Sequence, residues 1–111
     1  MAFTTLQFDS SFNPSPLSAD LCFITTGVTQ CTYLLPSSPT AGDIFRVMAR
    51  DNLWQIQQRV GQQIVIGDAA TTVGTSGSLN ANKITDSVEI VAIDGGTIFR
   101  CQPLSGNPTI V

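Results

Sequence analysis

Histidine occurs nowhere in the 111 residues. Its absence removes the commonest general base, the commonest metal ligand and the side chain that ordinarily titrates near neutral pH. Charge is nearly as scarce: 12% of residues are charged, against about 25% in a typical soluble domain. The five basic residues, Arg46, Arg50, Arg59, Lys83 and Arg100, stand singly along the chain. With no concentrated positive footprint for phosphates, nucleic acid is not expected as a partner. Long apolar runs are missing too. None approaches the ~20 residues that span a bilayer, and the opening MAFTTLQFDS has neither the basic nor the apolar stretch of a signal peptide. Cysteine is limited to Cys22, Cys31 and Cys101, an odd number without CxxC spacing. The expectation is folding in a reducing cytoplasm with each cysteine a small buried hydrophobe, a Cys22–Cys31 disulfide being the alternative.

Catalytic constellations are equally hard to assemble. Asp86 and Glu89 lie three apart on a predicted strand and so point to opposite faces, while Asp43, Asp51, Asp68 and Asp94 fall at turns, where Asp is common. Cys101 has no histidine to activate it. The glycine-bearing stretch Gly74–Leu79 (GTSGSL) lacks the lysine of a phosphate loop and opens no helix. No catalytic residue, metal site or cofactor is therefore expected, and the chain reads as a non-enzyme.

What the chain does have is apolar bulk and glutamine. Hydrophobic residues make up 42% of the sequence, yet a domain this small buries only ~65% of the surface its unfolded chain exposes. With so little charge to keep it apart from its copies, the chain is predicted to be an oligomer. Five of the nine residues from Gln55 to Gln63 are glutamine. An amide offers donors and an acceptor without charge, which suits strands that pair with other strands or other chains.

Strand signals recur along the chain. Thr4–Phe8 is a short candidate, followed by SSFNPSPLSAD, whose prolines, Asn and Ser cannot continue a ladder; residues 1–20 thus read as an N-terminal arm ahead of a single all-β module at 21–111. Leu21–Thr25 and Cys31–Leu35 are spaced as a hairpin with a longer loop. In DIFRVMA, Ile44, Arg46 and Met48 share one face and Phe45, Val47 and Ala49 the other. In LWQIQQ, Trp54 and Ile56 alternate with Gln55 and Gln57. Val60-Gly61 interrupts, QQIVIG resumes, and Asp68–Lys83 reads as a polar loop. Asp86–Ile93 and Thr97–Gln102 flank Asp94-Gly95-Gly96, a tight-hairpin signal. The first of these is apolar on both faces except at Glu89, as in a strand covered twice. Nothing longer than a turn has helical periodicity. The predicted fold is all-β, a small antiparallel β-sandwich or barrel-like domain assembled as a homotrimer.

Two residue types keep two readings each. Trp54 is either a core anchor in register with Ile56 or an exposed platform for a sugar ring. The glutamines either face solvent or meet their symmetry mates about a threefold axis, which makes Gln55, Gln57, Gln62 and Gln63 candidate interface residues. Loops on rigid β scaffolds commonly carry recognition, so Thr71, Thr72, Thr75, Ser76, Ser78, Asn80 and Asn82 are candidate ligand-binding residues.

The pattern W-x-I-x-Q-x-x-G-Q-x-I-x-x-G-x-x-x-T-T-x-G-x-x-G-x-L is filled here by Trp54, Ile56, Gln58, Gly61, Gln62, Ile64, Gly67, Thr71, Thr72, Gly74, Gly77 and Leu79. It resembles a module of bacteriophage tail-fibre and virion-associated proteins. Tyr33–Pro36 and Gly42–Val47 resemble the lead-in, Asp86–Ile90 the continuation and Ser105–Asn107 the exit, so the resemblance covers roughly Leu21–Asn107. It implies an all-β, trimeric unit of a virion, folded in the host bacterial cytoplasm, that serves assembly or host-surface attachment. Its partners would be a host-surface glycan or other virion proteins. The alternative function is a lectin-like glycan-binding module using Trp54, Tyr33 and the loop Gly67–Lys83.

Overall fold

The computed structural model describes Thr4–Phe8, Ser15–Pro16, Leu21–Thr25 and residues 30–111, with side chains described for Ile24, Thr25 and 30–111. The described residues contain no helix, and hence none long and apolar enough to cross a membrane. Twelve strands follow one another: β1 (Thr4–Phe8), β2 (Ser15–Pro16), β3 (Leu21–Thr25), β4 (Cys31–Leu34), β5 (Ile44–Ala49), β6 (Trp54–Gln57), β7 (Gln63–Ile66), β8 (Ala69–Ala70), β9 (Ser78–Asn80), β10 (Ser87–Ala92), β11 (Ile98–Ser105) and β12 (Thr109–Ile110). They form a seven-stranded sheet in the order β1-β3-β5-β10-β11-β7-β8 and a five-stranded sheet in the order β12-β9-β6-β4-β2.

The all-β expectation holds, but the sheets are mixed rather than antiparallel. From β1 to β6 successive strands alternate between the two sheets, so strands two apart in sequence become neighbours and run parallel. β3 pairs with β5, and β4 with β6, in this way. Leu21–Thr25 and Cys31–Leu34 are therefore not a hairpin: they lie in different sheets and face each other across the core, where the Thr25 hydroxyl and the Tyr33 hydroxyl are 3.0 Å apart. Short-range spacing cannot distinguish an arch between sheets from a hairpin within one, because both need a β-prone pair joined by a turn.

The hairpin at Asp94 is present. β10 and β11 pair antiparallel from Ala92↔Phe99 onward, with a register shift between Ser87 and Val88. The Asp94 carboxylate shapes the turn by accepting from the backbone N–H groups of Gly96, Thr97 and Ile98 and from the Thr97 hydroxyl. These donors, the Thr97 hydroxyl foremost, hold its carboxyl well below the usual carboxylate range.

Alternation decides the core. Cys31, Tyr33, Phe45, Val47, Trp54, Ile56, Ile64, Leu79, Val88, Ile90 and Phe99 turn inward between the sheets and are fully buried, joined by Leu35. Trp54 is thus a core anchor, and its indole N–H donates to the Asp86 carbonyl at 2.9 Å. Cys31 and Cys101 are buried; the alternative Cys22–Cys31 bond involves a side chain, Cys22, outside the described residues. Residues 68–83 are more ordered into the fold than a polar loop would be. They contribute β8 and β9, and Thr71, Gly77, Leu79 and Ala81 are buried.

Candidate functional site

The glutamine stretch divides according to the direction each residue faces. Gln55 and Gln57 alternate with Trp54 and Ile56 and so point outward from the five-stranded sheet. One residue past the end of β6, Gln58 continues the inward side of the alternation begun by Trp54 and Ile56 and is 2% exposed. Its amide nitrogen donates to the carbonyls of Gln62 (2.7 Å), Thr72 (2.8 Å) and Gly74 (2.9 Å). Its oxygen accepts from the Ile64 N–H at 3.2 Å and from the Thr71 hydroxyl. Gln62, equally buried, accepts from the Arg59 N–H and donates to the Pro36 carbonyl, both at 2.8 Å. The Gln63 amide donates to the Thr71 carbonyl at 2.9 Å. Of the four candidate interface glutamines, Gln62 is thus spent wholly inside the chain and Gln63 partly so, while Gln55 and Gln57 remain at the surface.

Close approach explains one glycine of the motif. A Cβ on Gly77 would overlap the Thr72 carbonyl oxygen and come within 2.6 Å of the Gln58 amide nitrogen, so only glycine lets the chain pass there. The motif residues Trp54, Gln58, Gln62, Thr71 and Gly77 are all buried. They build a framework rather than a reactive site.

The candidate ligand residues scatter over several surroundings. Thr71 is buried in the Gln58 cluster, whereas Thr72, Thr75 and Ser76 are exposed. Ser78 and Asn80 lie half-buried on β9, beside Gln57 and Gln55 of β6 in the register. The Gln57 amide donates to the Gln55 oxygen at 3.2 Å, the Gln55 amide to the Asn80 oxygen at 2.7 Å, and the Asn80 amide to the Ser78 hydroxyl at 3.0 Å. Asn80 is also opposite Thr109 of β12. The Thr109 hydroxyl donates to the Asn82 oxygen at 2.6 Å, and the Asn82 amide to the Asn107 carbonyl at 2.8 Å. A line of uncharged amides and hydroxyls thus crosses the outer face of the five-stranded sheet.

At the end of that line is a cleft of about 400 Å³ lined by Asn82, Lys83, Thr85, Asp86, Gly106 and Asn107. The Asp86 carboxylate holds its walls together, accepting from the N–H groups of Asn82 (2.7 Å), Lys83 (3.2 Å) and Asn107 (3.2 Å). Gly106 sits at φ +79, where a Cβ would strike that carboxylate. Asp86 is 2% exposed, and both of its oxygens are engaged in bracing the walls.

The opposite side of the molecule differs. On the outer face of the seven-stranded sheet, the register aligns Ile44, Val91, Arg100, Val65 and Ala70 in one row. Beside it Arg46 pairs with Glu89 at 2.9 Å. Met48, Ile98 and the half-exposed Ile93 extend the apolar surface. Sequence reasoning marked these faces as strand faces but did not join them, because joining them requires the strand order. Asn107 and Thr109 were missed for the same reason: only topology brings the end of the chain to Asn80 and Asn82. Among the described residues, no three His, Cys, Asp or Glu side chains come together as a metal site. No family model matches the chain, and neither a curated protein nor a solved structure matches it.

Proposed function

We propose that the chain is a non-enzymatic structural module of a bacteriophage virion or tail, folded in the host bacterial cytoplasm, that assembles as a homotrimer and serves assembly or attachment to the host surface. The observation that carries the assembly is the apolar outer face of the seven-stranded sheet. Ile44, Met48, Val65, Val91 and Ile98 point away from the core and are only half-buried by their own neighbours. A small domain stabilises such a face by covering it with a copy of itself. Arg100, within the same row, suits an interface, where arginine is enriched. The virion setting rests on the resemblance of the Trp54–Leu79 pattern to the tail module. Light scattering behind size exclusion tests the proposal. The expected mass is near three times 11.8 kDa, and a clean monomer at micromolar concentration rejects it.

A further inference from the structure

The outer face of the five-stranded sheet joins two sets of residues that are far apart in sequence, the surface glutamines of β6 and the polar residues of 78–82. We infer that this face, with the cleft at its end, is a binding site for a neutral glycan. The inference deepens the attachment reading above and rests on it.

Charge decides the ligand class first. Thr32, Leu34, Gln55, Gln57, Ser78, Asn80 and Thr109 carry the outward positions of the paired strands, and none of them is ionisable. An anionic or cationic ligand lying along the strands would lose hydration there and gain no counter-charge, the exposed Lys83 being confined to the cleft at the end of the line. The face also lacks the apolar centre of a protein interface, since its aliphatic side chain is Leu34 and the neighbouring Tyr33 and Trp54 are turned into the core. Amides and hydroxyls, in contrast, both donate and accept, as sugar hydroxyls do.

The face is also set for binding before a ligand arrives. Gln57, Gln55 and Asn80 orient one another through the hydrogen bonds between their amides, so less side-chain freedom is lost on binding. Among the described residues, each of these amide nitrogens donates one of its two hydrogens to the line and keeps the other. Among the described residues the Gln57 oxygen accepts no hydrogen bond. From β6 to β12 is two interstrand steps, roughly 10 Å, and Thr109 and Asn82 carry the line on to the cleft of about 400 Å³. That volume lies within the range of small-molecule sites. An extended face leading to a cleft suits an oligosaccharide with its terminal ring in the cleft.

The test uses the full chain, immobilised, with dextran, mannan and galactan as neutral probes and polygalacturonate as the charged control. At least one neutral probe is expected to bind saturably, with an affinity that added salt leaves unchanged. Gln55→Ala with Asn80→Ala should weaken that binding about tenfold or more. Because this pair is half-buried, the exposed Gln57→Ala is measured beside it, and melting temperatures confirm that both variants fold. Binding of none of the neutral probes, binding of polygalacturonate alone, or full affinity in both folded variants overturns the inference. Light scattering on the same samples separates it from the assembly reading. A trimer that binds no glycan sinks this inference alone, and a monomer that binds glycan sinks the trimer alone. A trimer that Gln57→Ala dissociates identifies the face as a contact between copies and overturns the glycan site.

Discussion

Gln58 shows how much one uncharged amide organises in a small β domain. Its side chain ties the Gln62, Thr72 and Gly74 carbonyls to the Ile64 N–H and the Thr71 hydroxyl, linking the turn after β6 to β7 and to the segment after β8. Gln58→Ala takes its donor from the Thr72 carbonyl and its acceptor from the Thr71 hydroxyl, while the Gln62 and Gly74 carbonyls keep the Gly74 and Gly77 N–H groups, and is expected to cost about 3 kcal/mol of stability in denaturant unfolding. Gln58→Glu should be worse near neutral pH, since a carboxylate would face three carbonyl oxygens, and should partly recover at about pH 4 as it protonates. Equal damage at both pH values would show that shape, not hydrogen bonding, matters there. Cys101 gives a second residue-scale prediction. Burial pushes its thiol up to about 12, so it is neutral in the folded state near pH 8 and should resist alkylation until the protein unfolds, as peptide mass mapping would show. The sign of its linkage follows. The unfolded thiol ionises in the ordinary range and the folded one does not, so Cys101 lowers stability as pH rises from about 9 toward 12, by up to ~1.4 kcal/mol per pH unit.

At the scale of the element, the hairpin β10–β11 is the part the sequence made most legible, because Asp-Gly punctuation and flanking alternation are both local. The Asp94 carboxylate is ionised through most of the acid range, held by Thr97, Gly96 and Ile98. A depressed carboxyl stabilises the fold above its unfolded value and loses that contribution as pH falls through the carboxylate range. Asp94→Ala should therefore lower the melting temperature more at pH 7 than at about pH 3. An equal decrease at both would assign the effect to turn propensity alone. Alternation in β5 and β6 was legible for the same reason, with Phe45, Val47, Trp54 and Ile56 buried as their spacing predicts. The arch between β3 and β4 was not, since nothing local separates a change of sheet from a hairpin. Residues 68–83 were read as loop because their polar groups are counted as solvated, whereas Thr71 and Gly77 are buried by the distant Gln58. The line from Gln57 to Asn82 was half legible: its residues were picked out, but as two separate sites.

For the whole molecule, the two sheets present outer faces of opposite character, and this makes the assembly testable by charge. The row Ile44, Val91, Arg100, Val65 and Ala70 becomes dry if copies meet there, so two introduced carboxylates, which the single Arg100 between them cannot both neutralise, would be desolvated beside their symmetry mates at a cost on the order of several kcal/mol. Val65→Glu with Val91→Glu is expected to reduce the trimer to monomer at about pH 8, with recovery at about pH 4 as the new carboxyls become neutral. Both side chains point away from the core, so the monomer should remain folded, and its melting curve checks this. Gln55→Glu with Gln57→Glu places the same charge on the opposite face, where it should leave the mass unchanged at both pH values. The reverse result, a trimer that survives the valine changes and falls apart with the glutamine changes, would put the threefold axis at the glutamines. It would then make the amide line the glue between copies instead of a surface offered to the host.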